Sequence, residues 1–443
     1  MSIPFIKERM HKMKYYKESA RELPISYEVD VLVCGSGPAG IGAALASARS
    51  GAKTLIIESL GDLGGISTSG LMSHWTGRSK SPIYLEILRR SAEKNEGELH
   101  GKIVNTIDPE KLKTLYLEML TEAGAEILLY TFASDVIVED GTVKGVIIEN
   151  KTGRSVISAK VVIDATGDGD IAFKSGAEYI KGRESDGRMQ PCTIMFKVGG
   201  VDLERAVFPG SFETLVNTEK GELQALGKEI IGHPAGHVLL YKSTLPGIVT
   251  CNMTNCIDID GTKAEDLTRA TLTCREQIDR IVKFLREYAP GYENCYCISS
   301  ASLMGIRETR HFKGVYTLTE DDIMNAVQFE DWIVLDAHFN FDIHNLDGAG
   351  LDKDGVQHEF KQMTGYTVPY RCLVPERVNG LLLAGRCISG THKAHSNFRV
   401  MPICVGIGEG AGYAAAIAVK KNILPRDVEA KEIQKYILKK AFK

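Results

Sequence analysis

A chain of 443 residues that is 44% hydrophobic and 25% charged is long enough for two or three domains and apolar enough to bury sizeable cores. Its 53 basic and 57 acidic side chains leave a formal net charge of -4, which removes the electrostatic case for a nucleic-acid or membrane-surface partner and points to a small molecule. Residues 1–28 hold no apolar run of signal-peptide or membrane-span length, and ten cysteines lack disulfide-framework or metal-cluster spacing, so a cytoplasmic protein with free thiols is expected.

In chain order, the apolar run 29–34 suits a central parallel strand, and a glycine-rich turn leads from it into a helix of small residues over 37–50. A second short buried strand follows at 54–57. Leu112, Leu115, Leu117, Met119 and Leu120 predict a helix over 111–123 that stops at Gly124. Short strands at 127–130, 136–138 and 143–149, separated by turn signals such as Asp140-Gly141 and Thr152-Gly153, read as a β-meander. Residues 161–164 then return the chain to the first sheet.

The stretch 173–371 is less regular, with a polar helix at 264–288 and aromatic-rich strands, and reads as a separate substrate or cap domain. A buried strand at 380–384 and a helix of Gly and Ala at 402–420 look like a return to the first domain, giving the division 27–172, 173–371 and 372–425. Internal repeats and low-complexity tracts are missing from the sequence.

The sharpest chemical signal is Gly35-Ser36-Gly37-Pro38-Ala39-Gly40, a GxGxxG between a strand and a helix. Gly35 allows the tight turn, Gly37 admits a pyrophosphate to the backbone, Gly40 lets helix and strand pack, and the helix start supplies free N–H groups and a positive dipole end. Glu58 ends the second strand about 20 residues beyond Gly37, where a carboxylate accepts hydrogen bonds from a ribose diol. Strand, turn, helix and acid together predict a bound adenine dinucleotide. Downstream, the Gly64-Gly65 doublet brings backbone close to a cofactor. Ala165, Thr166, Gly167 and Asp168 form a small-residue turn beside the pyrophosphate, and Gly385-Arg386 closes the last strand.

The N-terminal VDVLVCGSGPAGIGAALASARSGAKTLIIE, the LGG doublet, VVIDATGDGD, the GIRETR block at 305–310 and GLLLAGRCISGTHKAHSNFRVMPICVGIGEGAGYAAAIA resemble the FAD-dependent oxidoreductases of glutathione-reductase-like fold. The nearest branch resembles the group related to the succinate dehydrogenase and fumarate reductase flavoproteins. The likeness covers most of the chain and is loose across 173–300. It implies an α/β fold: a Rossmann-like FAD-binding domain with a parallel sheet and β-meander, plus an inserted α+β substrate or cap domain.

That resemblance also implies residue roles. Gly35, Gly37, Ala39 and Gly40, with Pro38, would meet the diphosphate, and Glu58, beside Ser59, the adenine ribose. Gly64, Gly65 and Ile66 would lie along the ribityl or flavin side, and Ala133 would offer its backbone to adenine. Arg399, Val400 and Met401 stand at the entrance to the final helix, whose dipole would stabilise negative charge at the flavin N1–C2=O edge.

Hydride transfer at flavin N5 needs a group for the accompanying proton and a cation for a carbonyl or carboxylate. His392, His395 and Arg399 supply those types just before the flavin-facing helix, and Arg307 supplies another cation. The alternative for each is a structural hydrogen bond within the loops. His338 and His344, in the strand-like DAHFNFDIH, read as structural histidines, and His74 is out of position for a covalent flavin link.

The expected function is an FAD-dependent oxidoreductase acting on a small organic metabolite, with or without a carboxylate, with an unidentified electron donor or acceptor and a homo-oligomer left open. A flavin monooxygenase and a flavin-binding protein without turnover are the alternatives. A disulfide reductase is disfavoured because CxxC does not follow the first FAD segment.

Overall fold

The computed structural model describes residues 14–356, 362 and 364–441. β1 (Ile25–Cys34) starts exposed and ends fully buried, because its last four residues run between two parallel neighbours. α1 (Pro38–Arg49) follows, with Pro38 in its first turn, where a missing N–H costs nothing. β2 (Thr54–Ile57) pairs with β1, and α2 (Pro82–Lys94) is capped by the Ser81 hydroxyl. α3 (Pro109–Ala123) is capped by Asp108 and ends at Gly124 in the left-handed conformation. Beyond it lie β3 (Glu126–Leu128), β4 (Phe132–Glu139), β5 (Thr142–Asn150) and β6 (Gly153–Asp164).

These strands form one sheet in the order β3-β2-β1-β6-β5-β4. β1, β2, β3 and β6 are parallel, whereas β4, β5 and β6 make the antiparallel meander. The expected strands at 136–138 and 161–164 are the cores of longer ones. β6 has 12 residues, so its first half closes the meander while its second half pairs with the strand Leu381–Leu383. The strand expected over 127–130 stops at Leu128, and Tyr130 turns the chain at φ 53. The helix Met401–Lys421 packs against α1 at van der Waals range: a Cβ added at Gly408 would lie 1.8 Å from the Ala39 carbonyl oxygen. This helix is long and apolar enough to cross a membrane, yet 94% of its most apolar stretch is buried inside the protein. It is a core helix.

A second sheet, ordered Leu240–Lys242, Val249–Cys251, Phe196–Gly199 and Tyr296–Ser300, is antiparallel. The buried face of the helix Ala264–Tyr288 joins its core through Ala270, Cys274, Ile278 and Ile281. That core draws its buried residues from Leu71 and from 192–301. Phe312, Leu318, Val334, Tyr366 and Leu373 pack instead with the first sheet. The buried residues of the second core thus span 192–301 with Leu71, while those from Phe312 onward belong to the cluster of the first sheet.

Candidate functional site

Two helices with no side-chain cap at their N-termini, α1 and Met401–Lys421, open onto one cavity of about 690 Å³. Uncapped first turns leave N–H groups and the positive end of each dipole available to an anion. The volume lies within the roughly 300–1,000 Å³ of small-molecule sites.

At one end, Glu58 ties the strand tip to the glycine loop. The Ser36 backbone N–H and hydroxyl donate to its Oε2 at 2.9 and 2.7 Å, and the Ser59 hydroxyl and Leu60 N–H donate to Oε1 at 3.0 Å. Gly35, Gly37, Pro38, Ala39, Glu58, Ser59 and Ala133 line this end. Gly35 has φ +92, and an added Cβ there would lie 2.6 Å from the Ala165 oxygen.

Gly40 and Gly64 do not line the wall. Gly40 is needed for packing, because its Cβ would lie 1.9 Å from the Gly35 oxygen. The Gly64 N–H donates to the Ser36 oxygen at 2.9 Å and holds the loops together.

The floor is made by Gly65, Ile66, Ala165, Thr166, Gly167, Asp168, Gly385 and Arg386. Asp164 pins the turn above it, accepting from Thr166 N and Oγ1 through Oδ1 and from Ala172 N through Oδ2. Burial pushes this carboxyl up to about 6, against those hydrogen bonds. Arg386 Nη2 and the Thr309 hydroxyl both donate to Asp168 Oδ1, at 2.7 and 2.6 Å, joining three distant segments.

At the far end Arg307, Arg399, Val400 and Met401 share the wall with Asp342, His344, Asn252, Tyr241 and Phe212. Arg399 Nη2 donates to Asp342 Oδ2 at 2.8 Å and to its carbonyl at 3.0 Å, while Arg399 Nε is buried without a partner among the described residues. Arg307 Nη1 donates to the Pro191 oxygen at 2.5 Å. Burial, and then Arg399 nearby, draw the Arg307 guanidinium down to about 10, so it stays charged at neutral pH. Burial would raise the Asp342 carboxyl, but His344, Arg399 and Arg307 together hold it below the usual range. Burial and then Arg307 depress His344 to about 4 despite Asp342 at 3.3 Å, so its ring is neutral at pH 7.

His392 and His395 are not brought to this wall. They sit on the short helix His392–Phe398, buried and turned toward Glu308 and His311, with His392 Nδ1 2.6 Å from Glu308 Oε1. His338 lies off the wall too, its Nε2 bonded to the Gln362 oxygen. His74 stacks on Tyr241 without lining the cavity.

Sequence reasoning set His344 aside and passed over Asp342. The available signal was the spacing Asp342-x-His344, which puts both side chains on one face of an extended segment. Tyr241, Asn252 and Phe212 come from the loosely patterned region and carried none.

Residues 30–437 match the sequence profile of the family described as FAD dependent oxidoreductase. The chain belongs to this family. It is an FAD-binding enzyme. Among curated relatives, the thiamine thiazole synthase of Methanococcus aeolicus is 35% identical over 149 residues, 32% of this oxidoreductase and 55% of the relative. Digeranylgeranylglycerophospholipid reductase 1 of Methanopyrus kandleri is 33% identical over 152 residues, 32% of this chain and 40% of its own. The FAD-dependent oxidoreductase thus spans about half the length of the curated relatives it matches. A geranylgeranyl bacteriochlorophyll reductase-like protein of Thermoplasma acidophilum shares its fold, with TM-score 0.50 and 14% identity over 93% of this chain and 82% of the other.

The residues present fit FAD. Among the described residues, a Cβ built at Gly37 meets no atom within 4 Å beyond its chain neighbours, so packing does not require glycine at this uncapped helix start. A helix start left open in this way suits the close approach of a dinucleotide's diphosphate.

Proposed function

We propose that this oxidoreductase moves a hydride between FAD and a small organic substrate bearing one carboxylate, which Arg307 and Arg399 hold beside the flavin. The observation that carries this reading is the meeting of Arg307 and Arg399 on one cavity wall, with Arg399 Nε buried and unpartnered among the described residues. Among the described residues, two guanidinium groups meet at the Asp342 carboxylate while His344 is neutral, a local arrangement that suits an anion. The finer likeness to succinate dehydrogenase and fumarate reductase flavoproteins belongs to this proposal.

In it, the backbone of Gly35, Gly37, Pro38 and Ala39 holds the diphosphate, and Glu58, with Ser59 beside it, holds the adenine ribose. Ala133 lies along the adenine, and Gly40 and Gly64 keep the loops in place. Gly65, Ile66, Ala165, Thr166, Gly167, Asp168, Gly385 and Arg386 would hold the chain leading to the flavin, and the N–H groups at the helix start after Val400 and Met401 would stabilise negative charge on its N1–C2=O edge. When bound, FAD supplies N5 as the hydride acceptor or donor.

The protein's own share is positional. Arg307 and Arg399 orient the carboxylate and fix which substrate carbon faces the ring. Arg399 is in turn oriented by Asp342. His344, neutral and on the wall, takes or returns the proton that accompanies the hydride. The electron partner is a second small molecule or protein of unassigned identity.

The test is anaerobic mixing of the yellow protein with a panel of small acids, following flavin absorbance. Bleaching by members of the panel supports the reading. A flavin that dithionite reduces but the panel leaves oxidised, with bleaching instead by neutral analogues, overturns it.

A further inference from the structure

Behind the two arginines lies a polar cluster that the cavity chemistry leaves unused. Glu308 and His311 are three residues apart on the segment that follows Arg307, and His392 and His395 are three apart on the helix that precedes Arg399. All four are buried, with Glu308 and His395 each 1% exposed. Glu308 Oε1 accepts from His311 Nε2 at 2.8 Å and His392 Nδ1 at 2.6 Å, and its Oε2 accepts from the Gln190 N–H at 3.1 Å. The His311 and His395 rings meet edge to face, 4.6 Å between centroids. Yet Nδ1 of each is buried with no hydrogen-bond partner among the described residues. Two such nitrogens in one small cluster are costly unless something else satisfies them.

One donor atom from each of Glu308, His311 and His395 lies within 4.8 Å of the other two. The geometry points to a divalent transition-metal site formed by Glu308, His311 and His395, with His392 as the outer histidine that hydrogen-bonds the ligating carboxylate. Two imidazoles and one carboxylate suit zinc, iron(II) or manganese rather than calcium or magnesium, which take oxygen donors. Ligand atoms about 2.0–2.2 Å from a common ion lie some 3–4 Å apart, so modest ring rotations close the set. An outer hydrogen bond to a ligand is the usual companion of such sites.

The ion sits outside the cavity wall and does not meet substrate. It joins the segment carrying Arg307 to the helix His392–Phe398 that leads into Arg399, and so fixes the spacing of the two guanidinium groups. These are positioning residues. The site stands apart from the proposed reaction and survives if that reading fails.

The experiment uses the FAD-loaded enzyme, made without a histidine tag in zinc-supplemented cells, with zinc per chain measured by mass spectrometry. About one zinc per chain is expected in the wild type, a loss of at least about tenfold in His395→Gln and His311→Ala, and unchanged flavin absorbance in His395→Gln. A chelator should lower the Tm of the wild type and leave that of His395→Gln unmoved. If His311→Ala fails to fold, His395→Gln and the chelator shift decide the matter. A yellow, folded wild type with only trace zinc, or a His395→Gln variant holding as much zinc as wild type, overturns the assignment.

Discussion

Arg399 and Asp342, 57 residues apart, meet through one guanidinium nitrogen that reaches both the carboxylate, at 2.8 Å, and the backbone carbonyl, at 3.0 Å. The double contact fixes the guanidinium plane and leaves Nε buried beside the cavity. Arg399→Lys keeps the charge but not the fork. It is expected to keep the protein yellow and raise KM for an acid substrate about 10- to 100-fold, the range for a lost charge-assisted hydrogen bond. Unchanged steady-state kinetics would remove Arg399 from substrate binding.

The glycine loop offers a contrast between two positions. In Gly37→Ala the new methyl meets no protein atom, so the apoprotein should unfold at the wild-type temperature while FAD affinity drops. In Gly40→Ala the methyl would fall 1.9 Å from the Gly35 oxygen, and the apoprotein should lose about 1–3 kcal/mol of stability. Thermal melts of both apoproteins, with FAD titrations, separate packing from cofactor approach. Equal melting losses would refute the distinction.

Glu58 presents a second test of the cofactor end. Its carboxylate already accepts from Ser36, Ser59 and Leu60, so Glu58→Gln should loosen the loop as well as weaken ribose binding. FAD affinity is expected to fall about 10- to 100-fold, and fluorescence titration of the apoprotein reads it directly. Wild-type affinity would exclude Glu58 from ribose recognition.

Glu409, in the core helix, gives a stability test that is independent of chemistry. Burial pushes its carboxyl up to about 7, although Ser81 donates at 2.5 Å and the Ile83 N–H lies at 3.4 Å. A carboxyl raised in the folded state contributes most below its unfolded value, near 4.3, and that contribution is lost as pH rises through the folded value of about 7, above which it no longer changes. Glu409→Gln should therefore stabilise the protein at pH 8 relative to wild type, by roughly 4 kcal/mol at most, and much less at pH 4.5. Urea denaturation at the two pH values checks the sign. Equal effects at both would mean that Glu409 is ionised without cost.

His344 bears on the proton. With its pKa depressed to about 4, the neutral ring persists across the neutral range. If it accepts the substrate proton, kcat/KM should be flat from about pH 6 to 8 and fall only on the acid side near 4–5. His344→Asn should lower kcat and abolish that acid limb. A limb centred near 6.5 in the wild type would point to another histidine.

How much of this was legible in sequence depended on what each stretch needed. The loop from Gly35 to Gly40, the acid at Glu58 and the small-residue helix Met401–Lys421 announce themselves, because turn, cofactor approach and helix packing each demand particular residue types at fixed spacing. The far wall does not. Phe212, Tyr241, Asn252 and Asp342 converge from separate segments through tertiary packing, and only Asp342 has a local spacing cue. His392 and His395 were drawn to the flavin by their nearness in sequence to Arg399. The helix they occupy turns them instead toward Glu308 and His311.

The most direct measurement compares one carboxylic acid substrate with its methyl ester, under anaerobic conditions, in wild type and Arg399→Ala. The ester removes the charge and little else. Rapid flavin bleaching by the acid in wild type is predicted, with at least about tenfold slower bleaching by the ester and no preference between the two in Arg399→Ala. Equal rates for acid and ester in the wild type, or an undiminished acid preference in Arg399→Ala, would contradict carboxylate capture by this arginine pair.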